Sequence, residues 1–186
     1  MEQIRADYES WWTRRKTRIF DWCHIPIGTP DAPEVLFTSH TWLTQDVGSQ
    51  AFGISVREPP FPPRSGCWNV RVERDGRYLV SLRRWPREAD APITSGLPPY
   101  EPADMTFGLY PAGRALPITE ARLQIGDQRL HRTVGPKDIS INFELGLSAG
   151  TTRMQTWFCD KAGDISCGAF YVYIRPIEGE SDENRE

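Results

Sequence analysis

The spacing of apolar residues along this chain changes period near residue 20. Before that point, apolar residues recur three or four positions apart among charged ones, at Ile4, Tyr8, Trp11 and Ile19, with Arg15 in the same series. This spacing predicts one amphipathic helix, roughly Gln3 to Thr17.

After the helix, apolar residues alternate with polar ones, which is the period of a β-strand. The alternation is clearest in "CWNVRVERDGRYLVSLRRW", where two apolar-alternating runs flank Asp75-Gly76. Asp-Gly is a dipeptide typical of two-residue hairpin turns. The sequence therefore predicts strands over Trp68 to Arg74 and Tyr78 to Trp85, joined as a hairpin at Asp75-Gly76.

A second group of strands follows a proline-rich, irregular connection from Arg87 to Ala112. Gly126-Asp127 is a predicted turn within this group, whose alternating segments are "EARLQIG", "QRLHRTV", "DISINFELGLSAG", "TTRMQTWFCD" and "GAFYVYIRP". Short strands at regular spacing with no second helix are typical of an antiparallel β-sandwich. We therefore expect a mainly β, jelly-roll-like antiparallel β-sandwich of about eight to ten strands, with the N-terminal helix packed on it.

Length and charge narrow the function classes. The 186 residues fit one main domain, which we place at 21–176, between the helix at 1–20 and a tail at 177–186. Residues 178–186 hold five acids, one arginine and no aromatic residue, so we expect the tail to be disordered. The net charge of −3 does not suggest a nucleic-acid partner. No apolar stretch is long enough to span a membrane and no signal peptide begins the chain, which leaves localisation undetermined.

The four cysteines do not have zinc-site spacing. Cys23, Cys67, Cys159 and Cys167 form no C-x-x-C pair. Cys159 and Cys167 flank "DKAGDIS", so they would face each other across a hairpin, either as a disulfide or as free buried thiols.

The stretch "SLRRWPREAD" is the first candidate site. A proline ends the predicted strand here, and strand ends carry the binding loops of a sandwich. Trp85 with Arg83 and Arg87 would form a platform for a sugar or a sulfate group, because an indole stacks on a pyranose and guanidinium groups pair with sulfate oxygens. The alternative, which we favour, is a structural corner in which Trp85 is packed and the arginines pair with Glu88 and Asp90.

His40 and Trp42, in "TSHTWLTQD", are the second candidate site. A histidine on this short polar segment would hydrogen-bond a substrate, but a single histidine beside a tryptophan is more often packed.

One resemblance is to the sandwich modules attached to carbohydrate-active enzymes. "VERDGRYLVSLRRW" and "FELGLSAGTTRMQTWF" are similar to two strand pairs of those modules. The resemblance implies a jelly-roll-like fold and, as one functional hypothesis, a free-standing carbohydrate-binding module.

A second resemblance covers residues 8–174. The order "YESWW…RRWPREAD…ALPITEARLQIGD…RMQTWF…GAFYVYI" is similar to the C-terminal region of bacterial arylsulfatases. In that family a helix follows the catalytic domain and a β-rich extension ends the chain. The resemblance implies that residues 1–20 continue a catalytic domain, that the sandwich packs on this domain and shapes substrate access, and that the parent protein is often exported or periplasmic.

The sulfatase active site itself is missing from the sequence. The family motif C-x-P-x-R or S-x-P-x-R, whose first residue becomes formylglycine, does not occur; Cys23 is followed by "HIPIG" and Cys67 by "WNVR". We therefore expect no catalytic residue, metal site or cofactor in this chain, and we expect calcium and formylglycine only in a separate catalytic domain. The expected partners are that domain and a sulfated saccharide. A purely structural interaction domain remains a third hypothesis.

Overall fold

The computed structural model describes residues 2–18, 21–43, 57, 65–100 and 110–177. Within these residues it contains one α-helix and ten strands, which confirms the predicted mainly β sandwich with an N-terminal helix. The helix is α1 (Glu2–Arg15), and the strands are β1 (Ile25–Ile27), β2 (Val35–Thr38), β3 (Cys67–Val72), β4 (Gly76–Arg83), β5 (Glu120–Ile125), β6 (Gln128–Thr133), β7 (Ile141–Leu147), β8 (Gly150–Cys159), β9 (Ile165–Cys167) and β10 (Tyr171–Ile177).

The strands form two sheets that face each other across the core. One sheet has six strands in the order β1-β3-β8-β5-β6, with β9 beside β8, and the other has four in the order β2-β10-β4-β7. The described strand pairs are antiparallel except β1 with β3, which is parallel. Most connections carry the chain from one sheet to the other, which is typical of a jelly-roll-like sandwich.

Alternating apolar positions fill the space between the sheets. In β7, every second residue from Ile141 to Leu147 is buried and the residues between them are exposed. Trp68 of β3 is fully buried and its Nε1 donates to the Thr38 carbonyl at 3.1 Å. Because Thr38 ends β2, which lies in the other sheet, this hydrogen bond links the two sheets while the indole ring fills the core.

The predicted hairpin at Asp75-Gly76 is wrong, because β3 and β4 lie in different sheets. Each is already flanked on both edges, β3 by β1 and β8 and β4 by β10 and β7. Neither Asp75 nor Gly76 takes the positive φ that the favoured hairpin turn requires. Instead the Asp75 Oδ1 accepts a hydrogen bond from the Ala149 N–H at 2.6 Å. Ala149 lies in the connection from β7 to β8, so this bond joins two neighbouring crossings between the sheets.

The predicted turn at Gly126-Asp127 is confirmed. It connects β5 to β6, whose register pairs Ile125 with Gln128, and Gly126 has a φ of 57°. A left-handed residue at this position is what a two-residue hairpin loop needs.

The helix forms where the spacing predicts it, but the expected packing on the sheet is wrong. None of its residues is buried. Tyr8 and Trp11 are 55% and 48% exposed, and their ring centroids lie 6.0 Å apart. Ile19, the last residue of the predicted series, lies outside the described residues, as does the acidic tail from residue 178.

The cysteines are free thiols, which decides between the two alternatives left open by their spacing. Cys159 and Cys167 are buried on the neighbouring strands β8 and β9, and Cys23 is exposed. Burial raises the pKa of the Cys167 thiol to about 12. The described residues contain no group of three or more His, Cys, Asp or Glu side chains placed to hold a metal ion.

Gly28, directly after β1, lies against the side chain of Tyr78. It has a φ of 77°, and a Cβ at this position would lie 2.2 Å from the Tyr78 hydroxyl. That hydroxyl donates to the Arg74 carbonyl at 2.8 Å, and the tyrosine side chain is buried, so it has little room to move.

We predict that Gly28→Ala lowers the free energy of unfolding by about 2–4 kcal/mol, since it adds left-handed strain to a steric clash. Gly146→Ala is the matched control, because no atom lies within 4 Å of a Cβ built there. Urea unfolding of both variants checks this, and equal stabilities would contradict the close approach of Gly28 to Tyr78.

Candidate functional site

The first candidate site lies where β4 ends and the chain turns into a long loop. The strand ends at Arg83, so its alternation does not continue to Trp85, which turns inward and is 2% exposed. The Trp85 Nε1 donates to the Ser95 carbonyl at 3.0 Å, and a Cβ on Gly113 would lie 3.0 Å from the indole ring. The loop therefore covers Trp85, and neither face of the indole ring is open to a ligand.

Arg84 is the most buried charged residue of this corner. Its side chain is fully buried, and its guanidinium donates to the carbonyls of Ser95 at 3.0 Å, Arg114 at 2.6 Å and Arg57 at 3.3 Å. It also lies 4.6 Å from the centroid of the Trp85 ring. Burial lowers the pKa of Arg84 to about 10, so the side chain is still a cation at neutral pH. One cation thus holds separate loop segments at the end of the sandwich.

Arg83 and Arg87 have other partners than the predicted Glu88 and Asp90. Arg83 is 6% exposed and its Nε donates to the Trp85 carbonyl at 3.2 Å. Arg87 is held by both carboxylate oxygens of Glu34, at 2.5 and 2.7 Å, and lies 3.8 Å from the Tyr173 ring centroid. The hydrogen bonds to Glu34 are the main cause of a raised Arg87 pKa.

Trp42 and His40 lie at the same end of the four-stranded sheet, because β2, β10 and β4 align Thr38, Tyr171 and Arg83. Trp42 packs on Phe170 and Trp68, with ring centroids 5.5 and 5.9 Å away. His40 is exposed on the short 3-10 turn Ser39–Thr41. The five predicted residues therefore share one end of the fold, but Trp85 and Arg83 are buried there.

An open groove that the sequence did not indicate lies on the outer face of the six-stranded sheet. Its volume is about 600 Å³, and the described residues that line it are Asp21, Trp22, His24, Asn69, Thr151, Thr152 and Arg153. Register explains part of this set, because the β3–β8 pairing places Asn69 directly opposite Arg153. His24 precedes Ile25, which pairs with Val70, so it lies on the other side of Asn69.

Trp22 gives the groove an exposed aromatic surface. It lies in the short segment between α1 and β1, and 63% of the residue is exposed. The neighbouring Asp21 forms a 3.5 Å ion pair with Arg18, which offsets its charge. An open indole among polar side chains is suited to stacking against a ligand ring whose edges form hydrogen bonds.

The floor of the groove is polar. Asn69 is 7% exposed, and its Oδ1 accepts a hydrogen bond from the Arg153 Nε at 3.4 Å. The side-chain hydroxyl of Thr151, which alternates onto the same outer face of β8 as Arg153, adds a further donor and acceptor to the lining.

A second groove has a different character. It has a volume of about 610 Å³ and a mainly apolar lining that includes Leu116, Ile118, Val134 and Pro136. No aromatic side chain is among its described lining residues. The groove beside Trp22 is therefore the better candidate for a polar ligand with a ring.

In the described part of the chain, no helix is long and apolar enough to cross a membrane.

Comparisons with known proteins give distant structural likenesses. No family model and no curated protein matches the chain. Among solved structures, CBM35 from Cellvibrio japonicus Abf62 is 8% identical over 78% of this chain and 94% of that one, with a TM-score of 0.40. The C-terminal CBM6 of LamC, a marine laminarinase from Zobellia galactanivorans, is 12% identical over 76% and 98%, with a TM-score of 0.39.

A ruminal GH26 endo-β-1,4-mannanase is 12% identical over 63% of this chain, with a TM-score of 0.34, and this chain spans 19% of its length. TM-scores this low do not assign a ligand or a partner to this chain. None of the three supports the resemblance to arylsulfatases.

We predict that Trp85→Ala lowers the free energy of unfolding by about 3–5 kcal/mol, because it removes a buried indole and leaves a cavity. Trp11→Ala is the matched control: Trp11 is 48% exposed, so we expect a change within about 0.5 kcal/mol. Denaturant titrations of both variants test this, and a Trp85→Ala protein as stable as the control would show that the corner is not packed.

Proposed function

We propose that this chain is a non-catalytic β-sandwich module that binds a saccharide in the groove beside Trp22. The observation that carries the proposal is the 63% exposed indole at a polar groove of about 600 Å³. The groove is within the usual size range of small-molecule sites.

The groove lining matches the two chemical faces of a sugar. A pyranose ring has C–H groups that pack on an indole, and hydroxyls that need donors and acceptors at its edges. Trp22 supplies the first surface, and Asn69 and Thr151 supply the second. The proposal includes no sulfatase chemistry, because the chain lacks the motif that forms the formylglycine nucleophile.

We predict that Trp22→Ala weakens saccharide binding by about 1–2 kcal/mol, or about 5- to 30-fold in Kd, with little change in thermal stability. A glycan array finds the ligand, and calorimetric titration then compares wild type, Trp22→Ala and the control Trp11→Ala. Absence of any saccharide ligand, or equal loss in both variants, would contradict the proposal.

A second candidate function is the accessory region of an arylsulfatase, and α1 favours it. The helix exposes four large apolar residues, with exposed fractions between 36% and 70%: Ile4, Tyr8, Trp11 and Trp12. Such a concentration on one exposed helix is typical of a surface that another protein covers. In this proposal residues 1–20 continue a catalytic domain, which would itself hold calcium and formylglycine.

We predict that Trp11→Ala combined with Trp12→Ala abolishes association with an arylsulfatase catalytic domain encoded upstream and supplied as a separate chain. Sedimentation velocity of the mixture measures the complex. Trp22→Ala is the matched tryptophan control and should leave the complex intact. Absence of a complex with the wild-type chain, or one that the double variant retains, would exclude docking through α1.

A further inference from the structure

We infer that the groove beside Trp22 selects a saccharide bearing an anionic oxygen group, a sulfate ester or a uronate carboxylate, that pairs with Arg153. This inference rests on the proposed saccharide binding and names its ligand class.

Arg153 differs in its ion pairing from two arginines on neighbouring strands of the same outer face. Arg71 pairs with Glu73 at 2.5 Å, and Arg122 pairs with Glu120. Arg153 has no carboxylate partner within the described ranges, and its one hydrogen bond there goes to the neutral amide of Asn69. The groove therefore keeps a positive charge that the adjacent side chains do not neutralise.

The hydrogen bond to Asn69 leaves the anion-binding part of Arg153 available. It engages the Nε, and the two terminal nitrogen atoms make no hydrogen bond to any described residue. Those terminal N–H groups have the fork geometry that pairs with sulfate and carboxylate oxygens. Asn69 is 7% exposed, so the guanidinium is bonded to an amide that is itself largely buried in the floor of the groove.

The other charged residue of the lining does not cancel this preference. Asp21 lines the same groove, but its carboxylate is 3.5 Å from the Arg18 Nε. Asp21 thus has a cation beside it, whereas Arg153 has no carboxylate partner among the described residues. A saccharide ring stacked on Trp22 would place an anionic substituent toward the cation.

The test compares three oligosaccharide probes by calorimetry: a neutral galactan, a sulfated galactan of the carrageenan type, and an oligogalacturonate. We expect an anionic probe to bind about tenfold tighter than the neutral one, or more, and added salt to reduce that difference. The sulfated and uronate arms show which anionic group is preferred.

Arg153→Gln should weaken binding of the anionic probes much more than binding of the neutral probe, which removes the preference, and Arg153→Lys should restore part of it as a point charge. Arg175→Gln is the matched control, because Arg175 is exposed on β10 in the opposite sheet. Thermal melts confirm that each variant is folded.

Failure of this inference is distinguishable from failure of the proposed function. If all three probes bind equally and all depend on Trp22, the module binds saccharides but the anionic preference is wrong. An anionic preference that survives Arg153→Gln also overturns the inference. If no probe binds, or if binding is indifferent to Trp22→Ala, both proposals are overturned.

Discussion

The end of the sandwich at which β4 runs into its long loop depends on the guanidinium of Arg84. Loop segments that cross the end of a sandwich have no neighbouring strand to pair with, so their carbonyl groups need other donors. Arg84 supplies donors to carbonyls from three parts of the chain, at residues 57, 95 and 114, while its planar group lies on Trp85. A lysine has neither the fork of donors nor the flat face, so it could not replace both contacts. The burial of Trp85 beneath the loop follows from the same arrangement.

The sequence predicts the elements of this fold far better than their partners. Strand periods and the Gly126-Asp127 turn are local properties, and both are found in the structure. Asp75-Gly76 carries an equally strong local signal, yet β3 and β4 separate into different sheets. Strands distant in sequence pair with the edges of β3 and β4 instead. Which strands pair is decided by burial across the whole core and not by the local turn signal. Helix α1 shows the same limit, because its period predicts a helix but not what covers it.

The candidate sites show why function was harder to predict than fold. That "SLRRWPREAD" ends a strand follows from its proline, but the burial of Trp85 depends on a loop that folds back from residues beyond it. The groove combines three segments, residues 21–24, Asn69 and 151–153, and only the register of β3 with β8 places Asn69 beside Arg153. Trp22 offered one weak local signal, an aromatic residue among polar neighbours between the helix and the first strand.

The position of β10 has a consequence for how the chain acquires this structure during synthesis. β10 is the last described strand, yet it lies inside the four-stranded sheet, between β2 and β4. Tyr171 pairs with both Thr38 and Arg83, so β2 and β4 cannot complete their pairing until β10 has been synthesised. Contacts of such long sequence separation slow folding. A nascent chain will therefore expose the unpaired edges of β2 and β4 until residues 171–177 leave the ribosome, and these edges are where premature aggregation would begin.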